Sequence, residues 1–403
     1  MLKIKRIILV LTGYATISYA DPLTFQEGLE LLIKKNYDAV IQKYEIEKSK
    51  ADIITASLRP NPTFTFNSTY INFKNFGNYS SRQDSFRIDQ EIETAGKREL
   101  RRKIAQQMLK YTELTYKVSL KDIINNYINS FSQVVSDKIQ LKSSEENLNS
   151  FKKVLEIADI QHKSGFISTL DYQKLYLNLI DFEKDYYTNI ENLKKDSEYL
   201  KFLVREDFSD VEFDDSTPKL PQESLEKLIE KALKNRYDIQ ASKLNTEISK
   251  TQIDYNKALA VPNVTIGLEI DGYGNKYSYA GIGFSVPIPI FDRNQGEILK
   301  SKINYIQSKL QEEKTVQQIK TEVTQLYYSL VSKYNIYKSY EEKFQQIKQL
   351  KENTEKAFSY RGINILTLLD TYRLYREFQK NYNQSIIDYF ITYYQLKVAT
   401  GEY

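Results

Sequence analysis

The chain has no cysteine and no tryptophan, and only one histidine and two methionines among 403 residues. The missing thiols exclude disulfides, thiolate metal sites and a lipid anchor on an acylated N-terminal cysteine. With His162 as the lone imidazole, no soft-ligand metal cluster can be assembled, so neither a resident metal nor a cofactor is expected. His162 itself reads as a solvated turn residue. Beyond the first twenty residues no run of 18 apolar residues occurs, so no helix is expected to span a membrane. A dominant charge is missing too: 57 Lys+Arg against 53 Asp+Glu gives +4, and without Lys3, Lys5 and Arg6 it is 54 against 53. No basic stripe points to nucleic acid. No nucleophile–base pair, glycine-rich phosphate loop or paired-carboxylate site stands out, which argues against an enzyme.

What is present begins with residues 1–20, which read as a secretory signal peptide. Lys3, Lys5 and Arg6 precede the apolar stretch Ile7–Leu11, which continues weakly to Ile17, and Ser18-Tyr19-Ala20 stands before Asp21. The mature chain is therefore expected to be exported. Its length would suit two or three globular domains, but 41% apolar residues and a mean hydropathy of -0.53 argue against large compact cores. Much of the surface must be wet on more than one side.

The same piece occurs twice. Laid at an offset of 200, residues 24–65 and 224–265 share 11 identities in 42 positions, among them Tyr37/Tyr237, Asp38/Asp238 and Pro62/Pro262. A second match, at a drifting offset, sets Gly165 and Asp171-Tyr-Gln-Lys-Leu-Tyr176 against Gly362 and Asp370-Thr-Tyr-Arg-Leu-Tyr375. A period this long is a duplicated half-molecule and not a solenoid repeat. The expected organisation is a first repeat over 21–205, a linker over 206–222 rich in Asp and Pro, and a second repeat over 223–403.

Four segments alternate with period two. Over 85–93, Phe86, Ile88 and Ile92 oppose Arg87, Asp89, Glu91 and Glu93; over 263–271, Val264, Ile266, Leu268 and Ile270 oppose Thr265, Gly267, Glu269 and Asp271. Residues 280–290 alternate likewise against Gly281, Gly283, Ser285, Pro287 and Pro289, and 63–73 less regularly, with Phe64, Phe66 and Tyr70 on one side. These runs predict hairpins over 62–94 and 262–291, each strand about the ten residues that a tilted strand needs to cross a bilayer. Phe73, Phe76, Tyr79, Tyr273, Tyr277 and Tyr279 crowd the connectors, where Tyr and Phe must supply any interfacial girdle. A half-buried sheet in a soluble domain is the alternative; export, the charged face and the aromatic ends favour a membrane barrel. Open edges are not tolerated in lipid and single-chain barrels begin at about eight strands, so four strands demand further subunits, two, three or more. The charged face, with Arg87, Asp89, Glu91, Glu269 and Asp271, would line the lumen.

Helices are expected over about 97–162, 168–204, 293–359 and 365–400, nearly free of Gly and Pro. Leu120, Tyr127, Val134, Leu141, Leu148 and Leu155 recur every seven residues, with Ile124 and Phe131 at the companion position; Leu330, Tyr337, Phe344 and Phe358 keep the same spacing, interrupted at Lys351. A 66-residue helix is about 100 Å long. Narrow apolar seams on otherwise polar helices suit a wall wetted on both sides. Each helix pair reverses at a turn, His162-Lys-Ser-Gly165 and Tyr360-Arg-Gly362-Ile-Asn364, expected at the far end from the strands. A soluble periplasmic coiled-coil rod, structural or adaptor in role, is the rival reading, and the attached hairpins disfavour it.

Leu58-Arg-Pro-Asn-Pro62 before the first strand, Glu91-Ile-Glu-Thr-Ala-Gly-Lys-Arg98 after the second, Pro287-Ile-Pro-Ile-Phe-Asp-Arg-Asn-Gln-Gly-Glu297 after the fourth, and Tyr360-Arg-Gly362 through Leu368-Leu-Asp370 together resemble the TolC-like outer membrane efflux proteins. The resemblance covers the whole mature chain, and the Phe-Asp-Arg-Asn-Gln-Gly-Glu element is most similar to the CzcC-type branch attached to heavy-metal pumps. It implies a mainly α fold with a small β part. Three chains would close a 12-stranded transmembrane β-barrel in the outer membrane, and long antiparallel coiled-coil helices would continue it as a periplasmic α-barrel. A periplasmic adaptor protein and an inner-membrane pump of the RND type would dock at the turns, around Gly165, Arg361, Gly362 and Asn364. Acidic residues just past the turns would line a constriction, which by position are Asp370 and Asp171. The job implied is passive efflux of heavy-metal cations, with a general drug, solvent or protein export conduit as the alternative.

Overall fold

The computed structural model describes residues 22–71, 74, 82–213, 220, 223–274 and 276–402. The expected signal peptide, Phe73, Phe76 and Tyr79, and the linker residues Asp214, Asp215, Pro218 and Pro221 lie outside the described residues. In chain order come β1 (Leu23–Thr24), α1 (Phe25–Lys35), α2 (Tyr37–Ser57), β2 (Thr63–Thr69), β3 (Gln83–Ile92), α3 (Lys97–Lys163) and α4 (Thr169–Val204). After β4 (Val211–Glu212), the order of two helices, two strands and two helices returns as α5 (Leu225–Asn235), α6 (Tyr237–Leu259), β5 (Val264–Tyr273), β6 (Tyr277–Ser285), α7 (Gln295–Ser359) and α8 (Ile365–Ala399). Two compact units result, one over 1–36, 127–217 and 339–387, the other over 37–126, 218–338 and 388–403, and each draws on both series.

The repeat shows in matching caps. Thr24 opens α1 with a reciprocal box, its hydroxyl accepting from Glu27 N (3.2 Å) while the Glu27 carboxylate accepts from Thr24 N (3.2 Å), and Ser224 opens α5. The residue after each short helix then reaches the last carbonyls of a long one: Asn36 Nδ2 donates to Leu203 O (3.0 Å) and Arg236 Nη1 to Ala399 O (3.3 Å). α4 and α8 both finish in left-handed backbone, at Arg205 (φ 52°) and Gly401 (φ 81°). A side chain at Gly401 would also come within 2.9 Å of Asn235.

In the unit over 37–126, 218–338 and 388–403, one antiparallel sheet runs β2-β3-β5-β6, so the two hairpins join along β3 and β5, and among the described residues the outer edges of β2 and β6 have no strand paired to them. Strand 280–290 is corrected: pairing starts at Tyr277 and stops at Ser285, because Pro287 and Pro289 have no N–H to give a ladder. The motif runs after each hairpin lead into the long helices. Ala95 (φ 53°) and Gly96 (φ 69°) swing the chain into α3, where Arg98 Nε donates to Ser57 O (2.8 Å) and Arg101 to Ala56 O (3.0 Å), Leu58 O (2.9 Å) and Glu93. In the second copy Asn294 (φ 57°) donates from Nδ2 to Asn256 O (2.8 Å).

The expected seam of α3 is buried at Leu120, Ile124, Tyr127, Phe131, Val134 and Leu148; past Leu141 the stripe drifts, and Phe151, Val154 and Ala158 are buried in place of Leu155. An α-helix at 3.6 residues per turn slips about 20° per heptad, which moves the contact line in this way. In the other unit, Gly28 has a packing reason: a Cβ there would fall 2.1 Å from the Tyr127 hydroxyl, which donates to Phe25 O (2.8 Å).

Candidate functional site

The sheet divides into two unlike faces. Cross-strand pairs Thr65–Arg87–Glu269–Gly281, Thr63–Asp89–Gly267–Gly283 and Asn67–Ser85–Asp271–Tyr279 form rows on one face. The rows between them carry Phe64, Phe66, Phe86, Ile88, Leu268, Ile270, Ile282 and Phe284, and every one of these is exposed, up to 72% at Phe284. An apolar sheet face of this extent needs a cover, and the described residues supply none.

Four of the expected lumen residues meet on the opposite face. Arg87 Nε donates to Asp89 (2.8 Å), its Nη1 lies 3.7 Å from Glu269, and Asp271 lies one row on from Glu269 in the same strand. Glycines make the space: a Cβ at Gly267 would come within 2.4 Å of Asp89 and 3.0 Å of Arg87, so Arg87 lies flat across β5 toward Gly283. Glu91 is further along β3 and accepts from Asn263. The girdle expectation is corrected by the register, which puts Tyr273, Tyr277 and Tyr279 on the charged face with Glu269 and Asp271. They form a ladder, with ring centroids 5.8 Å apart for Tyr273–Tyr277 and 6.4 Å for Tyr277–Tyr279. Counting parity through the three-residue turn would have found this.

At the first turn Gly165 is left-handed (φ 77°), with Phe166 N donating to Gln161 O (2.8 Å) and Gly165 N to His162 O (2.9 Å). At the second turn the left-handed residue is Arg361 (φ 62°), and Gly362 N donates back to Ala357 O (2.7 Å). Arg361 therefore matches Gly165, and its guanidinium stacks on Phe166 at 3.2 Å, tying one turn to the other. Ser168 and Asn364 are the matching N-caps, accepting from Asp171 N (3.1 Å) and Thr367 N (2.9 Å). Asp171 thus stands in the capping turn, where its carboxylate accepts from the Ser168 hydroxyl (2.8 Å). Asp370 is almost a turn further along its helix, exposed and paired with Arg373 (2.9 Å). The two aspartates are not equivalent positions. Between the turns lies a cavity of about 350 Å³ lined by Gln161, Phe166, Asp171, Arg361 and Asn364. His162 meets Thr169 Oγ1 (3.2 Å) and the Tyr172 ring.

Lys351, the break in the α7 seam, is the centre of a partly buried polar cluster. It donates to Ser150 Oγ (2.9 Å), pairs with Glu355 (3.3 Å) and lies over the Tyr372 and Tyr375 rings; Glu355 also accepts from Ser150 and Tyr372. A second cluster lies in the strand unit, where Arg236 bonds Asp238 and Glu322 and Lys121 adds a bond to Glu322 (2.7 Å). Burial alone would raise the Glu322 carboxyl, but the bonds from Lys121 and Arg236 outweigh it and hold the group below its usual range. Among the described residues no helix is long and apolar enough to cross a membrane, and no group of three His, Cys, Asp or Glu could hold a metal ion.

Residues 228–402 match the family model described as outer membrane efflux protein. Over 284 residues, 69% of its length, the chain is 24% identical to the cobalt-zinc-cadmium resistance protein CzcC of Cupriavidus metallidurans, and the match spans 66% of that relative. Its fold is that of solved channels. CusC matches with a TM-score of 0.79 at 15% identity over 95% of this chain and 93% of that one. The Campylobacter jejuni CmeC outer membrane channel gives 0.78 at 14% over 94% and 85%, and the Vibrio cholerae outer membrane protein VceC gives 0.74 at 14% over 93% and 95%. The second half of the chain thus matches the outer membrane efflux proteins, and the mainly helical fold over nearly its whole length is that of solved outer membrane channels.

Proposed function

We propose that three copies of this chain form a passive conduit from a periplasmic adaptor and an inner-membrane pump to the exterior, and that its cargo is heavy-metal cations. The observation that carries this reading is the two-faced sheet with two open edges. An exposed apolar face opposite a charged one suits hydrocarbon outside and water inside, and edges that lipid cannot satisfy are closed if β6 of one copy pairs with β2 of the next. Three copies give twelve strands, above the minimum of about eight. The cargo is inferred from the likeness to a protein named for cobalt, zinc and cadmium resistance, and from the acidic excess of Asp89, Glu91, Glu269 and Asp271 over Arg87 on the lumenal face. Energy is assigned to the pump, since no glycine-rich phosphate loop stands out in the sequence.

The turns are assigned to adaptor docking. Gly165, Arg361, Gly362 and Asn364 surround the cavity between the turns or shape it, and Arg361 offers the exposed cation and planar donor that a partner can address. Asp370 is assigned to the constriction, with Asp171 behind it as a helix cap that also contributes charge. Threefold symmetry would set three Asp370 carboxylates in one ring, favouring cations in a narrow bore. The ion pair with Arg373 moderates that ring. Single-channel recording in planar bilayers tests this: Asp370→Asn is expected to lower cation preference and divalent block, and Arg373→Ala to raise both. Unchanged selectivity in both variants would remove the constriction assignment. A mature chain that stays soluble without detergent and conducts nothing would remove the conduit.

A further inference from the structure

Asp137 is a buried titratable group with no part in the conduit described above. It lies on α3 with 5% of its surface exposed; Gln133 Nε2 donates to its Oδ1 (2.9 Å), whereas its Oδ2 is shut off from water and has no hydrogen-bond partner. A carboxylate oxygen in that position is strongly penalised unless something positive reaches it. What faces it from α4 is another carboxylate, Asp196, within hydrogen-bonding reach.

Three of the nearby cations, Lys138, Arg373 and Arg376, are committed elsewhere. Lys195 comes within 3.8 Å of Asp196 but has 69% of its side chain exposed. Lys138, the next residue of α3, is turned to Asp210 and Val211 O. α8 brings Arg373, Arg376, Glu377 and Lys380 to the same polar cavity of about 610 Å³, where Arg376 is held by Asp185 and Arg373 by Asp370. α3 and α4 run close together along this stretch, with Asn189 Nδ2 donating to Gln140 O (3.2 Å).

We propose that Asp137 and Asp196 form a proton-binding site that joins α3 to α4, in which a proton carried on Asp137 Oδ2 is donated to the Asp196 carboxylate and the pair holds one negative charge. This gives the stranded oxygen a role as donor and removes the like-charge clash in one step. Burial first, then the bond and repulsion from Asp196, push the Asp137 carboxyl up to about 7, with Gln133 and Lys195 opposing. A value raised above the unfolded chain's 3.8 means that the folded state holds the proton more tightly. The contribution is complete at and below about pH 4, declines as pH rises, and is gone above about pH 7. The wall formed by these two helices would then loosen in neutral to alkaline surroundings and tighten in acidic ones. The site does not depend on what the channel carries.

The test uses the full mature chain in detergent or lipid nanodiscs, titrated from about pH 4 to about pH 9 and followed by infrared spectroscopy and amide hydrogen exchange. The wild type should keep one carboxylic C=O band that disappears with a midpoint near neutrality; Asp137→Asn should lack it, and Asp196→Asn should move its midpoint to lower pH. After correction for intrinsic rates, exchange over 130–140 and 192–199 should rise severalfold with pH in the wild type and stay flat in Asp137→Asn, whose amide can donate in place of the hydroxyl. Absence of a protonated carboxyl above about pH 5 would overturn the proposal. So would loosening of the same segments by EDTA at high pH with recovery on adding magnesium or calcium chloride, which would make the bound species a divalent cation.

Discussion

Arg236 stands where the first repeat has Asn36, and the exchange changes what the position does. Both cap the end of a long helix, but Arg236, with 5% of its side chain exposed, also neutralises Asp238 and Glu322. Removing it takes the guanidinium from Asp238 and leaves Glu322 to Lys121. Arg236→Ala is expected to lower stability by roughly 2–4 kcal/mol, the lower end reflecting a Glu322 that is one third exposed. The pH response follows from the depressed Glu322 carboxyl: its contribution is present above the usual value of 4.5 and lost as pH falls through the lower folded-state value. In Arg236→Ala that loss should begin at higher pH, so acid unfolding monitored by circular dichroism should shift upward. An unchanged acid midpoint would mean that Lys121 alone holds Glu322. None of this was legible in the sequence, where Arg236 and Glu322 are 86 residues apart and the alignment of the repeats registered the Tyr-Asp pair that follows. Asp137 escaped notice for the same reason, since its partner lies on another helix.

Secondary elements were far more readable, because their signals are periodic and local. Heptads placed α3 and α7, and alternation placed β3 and β5 within two residues at each end. Where backbone exceptions decide, the sequence misleads: the glycine at the second turn is not the left-handed residue, and Arg361 takes that conformation because Asn364 must fall in register to cap α8. Alternation likewise ran on past Ser285, since an apolar pattern carries no information about missing N–H groups unless the prolines are allowed to overrule it. The two faces of the sheet give the test at this scale. Ile282→Lys on the apolar face should cost about 2–4 kcal/mol if that face meets the middle of a bilayer, whereas Gly281→Ser, one residue away on the other face, should be nearly neutral. Outer-membrane yield and resistance of the assembled protein to heat in detergent report the difference. Equal tolerance at both positions would take the sheet out of the membrane.

At the scale of the molecule the chain is unfinished, and its incompleteness has an address. Two hairpins combine into one four-stranded sheet whose outer edges are β2 and β6, and among the described residues nothing covers the apolar side of that sheet. Duplication alone does not fix how many copies close the ring, because hydrogen-bonding edges say only that one must find the other. The absence of cysteine makes the count measurable. Paired cysteines scanned along β2 and β6, on a background with no native thiol, should form disulfides between copies at the pairs in register. Under denaturing, non-reducing conditions a fully oxidised ring runs as a closed species of three chains, preceded during oxidation by linear dimers and trimers. Control pairs on the inner strands β3 and β5, which already face each other within one chain, should cross-link without raising the mass. A ladder continuing beyond three would indicate open-ended pairing, and cross-links confined to single chains would mean that the two edges meet in one copy, so that the lumen and its charged lining would have to be sought elsewhere.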